Sequence, residues 1–402
     1  MTGWRTQAAA LIAAILLGAV AACAPSRETP PSVDEPPRLQ LSPTTFASLP
    51  GWMLDDQGDA LAAFMRSCSV LLRKPADQSI GGAVNSVAGD WRDPCEAATA
   101  IDPRNHHAAR LYFEDWFQPW IVTDSTGGTG LFTGYFEPEL EGSLVRGGVY
   151  QVPIYRRPDD LVTVDLGKFR DDLAGTRIAG RVDGTRLVPY FTRTDIDAGA
   201  LGGPGVELAW VDDAVDAFFL QIQGSGRIHL PDGSYRRAGY AAANGHLYYA
   251  IGRTLIARGE VAREDMSMQA IRRWLETNPA EAQSLMQENP SFIFFRWVDG
   301  LDASLGPVGA QNIPLSAGRS LAVDRKYLAL GLPLWLETGL PGVSGIPSAP
   351  IRRLVIAQDT GGAIKGVVRG DLFIGTGDAP GEIAGRMQEQ GRYWVLLPRP
   401  RP

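Results

Sequence analysis

The chain has 402 residues, with 38 Lys plus Arg against 45 Asp plus Glu and a formal charge of −7. It contains no basic run that would hold a polyanion, which excludes nucleic acid as a partner. Its 45% hydrophobic content is that of a globular protein, and 46 Gly with 29 Pro favour turns and short strands over long helices.

Arg5 precedes an apolar run, Ala8–Val20, that is short for a membrane span and has the length of a signal-peptide core. The run ends in Val20-Ala21-Ala22-Cys23, which fits a bacterial lipobox. The sequence therefore predicts a signal peptide over 1–22 and acylation of Cys23, in preference to an ordinary secretory signal with a chance Cys. Ala24 follows where an Asp would retain the protein at the inner membrane. The expected address is the periplasmic side of the outer membrane, or the periplasm itself if Cys23 is not acylated. Residues 23–40 read as a tether, because Pro25–Pro37 is too polar and too rich in Pro to bury a core. With Cys23 set aside, Cys68 and Cys95 form an even pair in an oxidising compartment, which predicts a disulfide.

Leu61, Phe64, Met65, Cys68, Leu71 and Leu72 recur at helical spacing, and so do Leu111, Tyr112, Trp116 and Phe117. From residue 126 the texture becomes glycine-rich and aromatic. Leu131–Phe136, Tyr150–Tyr155 and Phe218–Gln223 read as strands, and Pro231-Asp232-Gly233-Ser234 as a turn. A helical block follows. One helix is expected over Gly245–Arg258 with Gly259 as its stop, and a second carries Met268, Ile271, Trp274 and Leu275. A third opens at Asn278-Pro279. Ile351–Ala357, Gly366–Ile374 and Tyr393–Leu397 return to strand texture.

Familiar constellations are missing. The His residues at 106, 107, 229 and 246 lack metal-ligand spacing, so no metal and no cofactor are expected. Gly375-Thr376-Gly377 followed by Gly381 misses the dinucleotide fingerprint. Ser225 and Ser344 both miss the nucleophile elbow. Three aspartates remain, each closing or interrupting an apolar run: Asp324, Asp359 and Asp371. A carboxylate beside a buried strand must be hydrogen-bonded, paired or poised as an acid. Taken singly, each is more often a turn or cap residue than a catalyst.

Several blocks in order carry a family resemblance. They are Phe132-Thr133-Gly134-Tyr135-Phe136-Glu137-Pro138, Tyr150–Arg156, Gln223-Gly224-Ser225-Gly226, Ala243–His246, Asp265–Arg272, Asn289–Phe295 and Val355–Leu397. Together they resemble the membrane-bound lytic transglycosylase A family with its three-aspartate domain. The resemblance implies a mainly β, α+β fold. A double-psi β-barrel (41–138 plus 297–402) would hold a smaller β-rich domain (139–296) inserted into it, with the substrate groove between them. It implies Asp371 as the catalytic acid and base, with Asp359 and Asp324 in support. Thr133, Tyr135, Gln223, Ser225 and Gly226 would bind sugar. Asp378 is an additional acidic group close by in sequence.

The implied reaction is non-hydrolytic cleavage of the β-1,4 bond between MurNAc and GlcNAc, leaving 1,6-anhydro-MurNAc ends. The expected partners are peptidoglycan glycan strands, other cell-wall enzymes and, from the lipobox, the outer membrane through the anchor, and a tethered monomer is the simplest assembly. Two alternatives stand beside this reading. One is a hydrolytic muramidase using Glu137 or Asp359 as a second carboxylate. The other is a non-catalytic peptidoglycan-binding scaffold.

Overall fold

The computed structural model describes residues 37–400 except 126, 174–175, 203–204 and 344–346. The signal segment, Cys23, the tether through residue 36 and Ser344 lie outside the described residues. Six strands close into a barrel: β1 (Gly130–Glu137), β2 (Ser320–Val323), β3 (Pro333–Leu340), β4 (Ala349–Asp359), β5 (Arg369–Thr376) and β6 (Gln388–Pro398). Around the ring the order is β6-β3-β4-β2-β5-β1, and β1 pairs back onto β6. Two parallel pairs, β1–β5 and β2–β4, interleave with antiparallel ones. This is the expected double-psi barrel.

The reason these segments close is visible in their burial. All four residues of β2 are buried, so both of its faces meet protein. Leu321, Val323, Leu334, Leu336, Val355 and Val395 are within the resulting core. Beyond β6 the sheet continues through Phe117–Thr123 and then Gln40–Pro43. The helix Gln57–Leu71 lies on β4, where the Gln358 side chain donates to Ala63 O at 2.8 Å and to Ser67 Oγ at 2.9 Å. Phe64 of that helix meets Trp91, Tyr112, Phe113 and Phe117 with ring centroids 5.7–6.4 Å apart.

Cys68 on this helix is bonded to Cys95 on the helix Arg92–Ala98, with Cα atoms 5.4 Å apart. The bond closes a span of 27 residues. Loop entropy alone then contributes about 3–4 kcal/mol. Replacing both cysteines by Ser is expected to lower the unfolding free energy by roughly that amount in urea titrations.

Between β1 and the return to the barrel, the chain builds a second, six-stranded sheet. Its order is Ile293–Val298, Tyr235–Ala243, Ser225–His229, Glu139–Ser143, Glu207–Val211 and Val152–Tyr155. A three-stranded sheet (Val162–Asp165, Arg177–Asp183, Arg186–Pro189) and a group of helices accompany it. From Arg38 onward all of this is one compact unit.

Three sequence expectations need correction. Phe218–Gln223 is the end of a helix, Ala214–Gln223, and not a strand. Every residue from Val215 to Gln221 except Asp216 is buried, so the polar spacing that marks a helix is erased. The signals that did mark it are its ends: Asp213 accepts from Val215 and Asp216 N–H, and Gly224 at φ 80° closes it. The next helix covers Gly252–Ala257 rather than starting at Gly245. Gly245 has φ 86°, and the Tyr249 N–H is taken by the Asn289 side chain, which leaves Leu247 87% exposed. Asn278 does not cap the helix Pro279–Gln287 with its side chain; it donates back to Trp274 O at 2.8 Å and closes the preceding helix.

Candidate active site

The parallel register of β1 and β5 sets Thr133 beside Asp371 and Tyr135 beside Phe373. Side chains two apart share a face, so a polar pair is followed by an aromatic pair on one surface. Thr133 Oγ1 donates to Asp371 Oδ1 at 2.7 Å. Arg369, two residues before Asp371, donates through Nη2 to the same Thr133 oxygen at 2.9 Å. A hydroxyl has one proton, so a Thr133 that accepts from Arg369 must point its own proton at Asp371. Asp371 Oδ2 is left without a hydrogen bond among the described residues and is free to carry an acid proton.

Burial pushes the Asp371 carboxyl from 3.8 up to about 6. The Thr133 hydrogen bond and the Arg369 charge pull it down, and the neighbouring Asp359 charge pushes it up. Phe373, 1% exposed and on the same face of β5 as Asp371, is an apolar wall that dries the site. Replacing Thr133 by Val removes a contact that holds the value down. The alkaline limb of kcat/KM is therefore expected to move to higher pH, read from a pH–rate profile.

Asp359 is the last residue of β4. Its Oδ2 accepts from the Tyr135 hydroxyl at 2.9 Å, and its Oδ1 accepts from Ala310 and Thr360 N–H, each at 2.9 Å. Burial raises its carboxyl against those three hydrogen bonds. The Tyr135 ring lies against Phe373 at 5.4 Å, and its hydroxyl is held well above its ordinary value by burial and by Asp359. Tyr135 thus couples Asp359 to the Asp371 face.

Asp324 does different work. Its carboxylate accepts from Lys326 N–H at 3.0 Å and Gly366 N–H at 2.9 Å, while its carbonyl accepts from Tyr327 and Leu328. It fastens the turn after β2 to the loop between β4 and β5.

Gln223 reaches the site from the inserted part of the chain. It ends the helix Ala214–Gln223, and its Oε1 accepts from Phe136 N–H at 3.1 Å, beside the register shift in the β1–β5 ladder. Ser225 and Gly226 start the next strand and are buried. A Cβ on Gly226 would stand 2.4 Å from Leu220 Cδ1 and 2.9 Å from Pro138 O, so this glycine lets the helix end approach β1. Asp378 is exposed in the first turn of the helix Asp378–Ala384.

One feature escaped the sequence, Arg369; its i, i+2 spacing from Asp371 on a strand was the available signal. Glu137, expected only as a possible second carboxylate, is 0% exposed and sits 2.7 Å from Arg237 and 3.1 Å from Arg227. Thr376 Oγ1 donates to it at 2.9 Å.

The model of the 3D domain matches residues 319–397, and that of the MltA specific insert domain matches residues 131–296. The crystal structure of membrane-bound lytic murein transglycosylase from Agrobacterium tumefaciens is 36% identical, with a TM-score of 0.78. The match covers 90% of this chain and 98% of that one. The chain belongs to the membrane-bound lytic murein transglycosylase A family.

Membrane-bound lytic murein transglycosylase A of Escherichia coli (strain K12) is 39% identical over 273 residues, which span 67% of this chain and 66% of that protein. The crystal structure of E. coli MltA with bound chitohexaose is 28% identical with a TM-score of 0.64, covering 91% of this chain and 96% of that one. The MltA insert thus spans the six-stranded sheet, and the 3D domain spans β2 to β6 of the barrel.

Proposed function

We propose that this protein is a peptidoglycan lytic transglycosylase in which Asp371 alone is the acid and then the base. Its Oδ2 proton goes to the glycosidic oxygen between MurNAc and GlcNAc as that bond breaks. Positive charge then develops at the MurNAc anomeric carbon. The Asp371 carboxylate takes the proton from the C6 hydroxyl of the same sugar, whose oxygen bonds to that carbon and closes the 1,6-anhydro ring. The nucleophile is already part of the substrate, so orientation replaces an encounter with water. In this reading the barrel (41–138 plus 297–402) carries the acid, and the insert (139–296) supplies the facing wall with Gln223.

The observation that carries the reading is the inequality of the carboxylates. Asp371 has a free oxygen and a value near 6. Asp359 accepts three hydrogen bonds, and Glu137 is sealed between two arginines. A muramidase needs a second available carboxylate, and neither of these is placed to serve. The E. coli relative holds a chitohexaose, a β-linked amino-sugar chain of the type that the proposed groove would take. The relatives' names say membrane-bound, which fits an acylated Cys23 and an outer-membrane address.

Digestion of purified peptidoglycan followed by mass spectrometry tests the proposal. Fragments ending in 1,6-anhydro-MurNAc are expected. Reducing ends would replace the lytic reading by a muramidase, and intact strands with folded protein would favour a scaffold.

A further inference from the structure

Away from Asp371, the inserted part of the chain encloses a cavity of about 690 Å3, walled by Val152, Phe218, Leu275, Met286 and Phe292. Arg193 lines it and is 4% exposed. Its guanidinium is held between two rings, 4.9 Å from Phe218 and 5.1 Å from Phe292. Nε donates to Asn289 O at 2.9 Å, and Nη2 donates to Gln221 Oε1 at 2.9 Å and Ser291 O at 2.6 Å. All three acceptors are neutral. Nη1, with two N–H groups, has no hydrogen bond, and the charge has no ion-pair partner among the described residues.

A buried arginine is ordinarily paired with a carboxylate. The nearest candidate, Asp197, also lines the cavity, but its carboxylate is held by Gln287 Nε2 at 3.0 Å and makes no ion pair with Arg193. Asp197 is exposed, as is Glu276, which also lines the cavity and lies 3.9 Å from Arg272. The cavity therefore offers a fixed cation inside and carboxylates at its rim. That order of charges repels a simple anion at the mouth and suits a ligand carrying both signs.

We propose that this cavity binds the zwitterionic amino-acid group of a peptide. The carboxylate would accept from Nη1 of Arg193, and the ammonium would face Asp197 and Glu276. The flat faces of the guanidinium are covered by the two rings, so only its Nη1 edge is available, which fixes the carboxylate in the guanidinium plane. On the peptidoglycan reading above, the ligand is a wall stem peptide whose diamino-acid side chain ends in a free ammonium and carboxylate.

Calorimetric titration of the full chain in detergent tests this with three probes. They are a stem tetrapeptide containing diaminopimelate, the same peptide acetylated on the side-chain amine, and free diaminopimelate. Saturable binding of the first is expected, weakened at least tenfold by acetylation, by Arg193→Gln and by Asp197→Asn. Equal affinity for free diaminopimelate would support the site and make the free amino acid its ligand. No saturable binding, or binding that acetylation and Asp197→Asn leave unchanged, would overturn the proposal. If Arg193→Gln fails to fold, the exposed Asp197→Asn variant still decides. Binding is read without strand cleavage, so failure of the lytic reading shows separately in the products of glycan digestion.

Discussion

The Asp371→Asn variant is expected to lose at least about a thousandfold of the strand-cleaving rate while becoming more stable at neutral pH. Activity falls because Asn cannot supply the Oδ2 proton. The wild-type pH profile follows from the same group: kcat/KM needs the protonated carboxyl, so it should decline about tenfold per pH unit above about pH 6. The stability change has its own sign. The folded value of about 6 lies above the ordinary 3.8, so folding is favoured with the proton on. That contribution is fully present below about pH 4 and is lost as pH rises through about 6. The full shift corresponds to about 3 kcal/mol. Asp371 keeps a solvent-facing edge, which reduces this to about 1–2 kcal/mol. Asn keeps the Thr133 hydrogen bond and escapes the penalty, so its advantage in urea titrations should be present at pH 7 and absent at pH 4. A catalyst that gains stability on losing its charge is a site held in tension for function. Equal stability of the two proteins at both pH values would remove burial as the cause of the raised acid.

Much of this arrangement was legible in the chain, and the limits have physical causes. Strands such as Ile351–Ala357 declare themselves because β-branched runs bounded by turns have few alternatives. Asp371 and Asp359 stood out as carboxylates inside such runs. Thr133 and Tyr135 stood out only through the family resemblance, because Thr133 lies 238 residues from Asp371 and meets it through a parallel register that no local pattern encodes. The helix Ala214–Gln223 was hidden by burial on nearly all sides, which removes the periodicity that would identify it. Glu137 stood out only as a candidate second carboxylate, with no sign of its structural role. A charged residue before a proline reads as a strand end, and only the fold brings Arg227 and Arg237 around it.

Glu137 carries the largest stability effect expected outside the hydrophobic core. Its carboxylate is fully buried, and the side chains of Arg237 and Arg227 keep only 3% and 12% of their exposure. The arginines also donate to Leu305 O and Ala303 O on the segment returning to the barrel, each at 2.9 Å. One carboxylate therefore joins β1, the inserted sheet and that return segment. Glu137→Ala leaves buried Arg237 without a carboxylate and Arg227 with only Glu139, 3.7 Å away, and should cost about 3–5 kcal/mol in urea unfolding. Glu137→Gln retains an acceptor and should cost less. Replacing Glu137, Arg227 and Arg237 together by Met should restore most of the loss, because the penalty comes from unpaired charge rather than from a missing contact. Activity separates positioning from chemistry. Thr133 and Tyr135 precede Glu137 on the same face of β1, so Glu137→Gln should loosen the Asp371 environment and lower kcat about tenfold. It should leave the alkaline limb of the pH profile near 6, since Asp371 still sets it. Loss of all cleavage in a folded Glu137→Gln protein would instead make Glu137 a second catalytic carboxylate and return the muramidase reading.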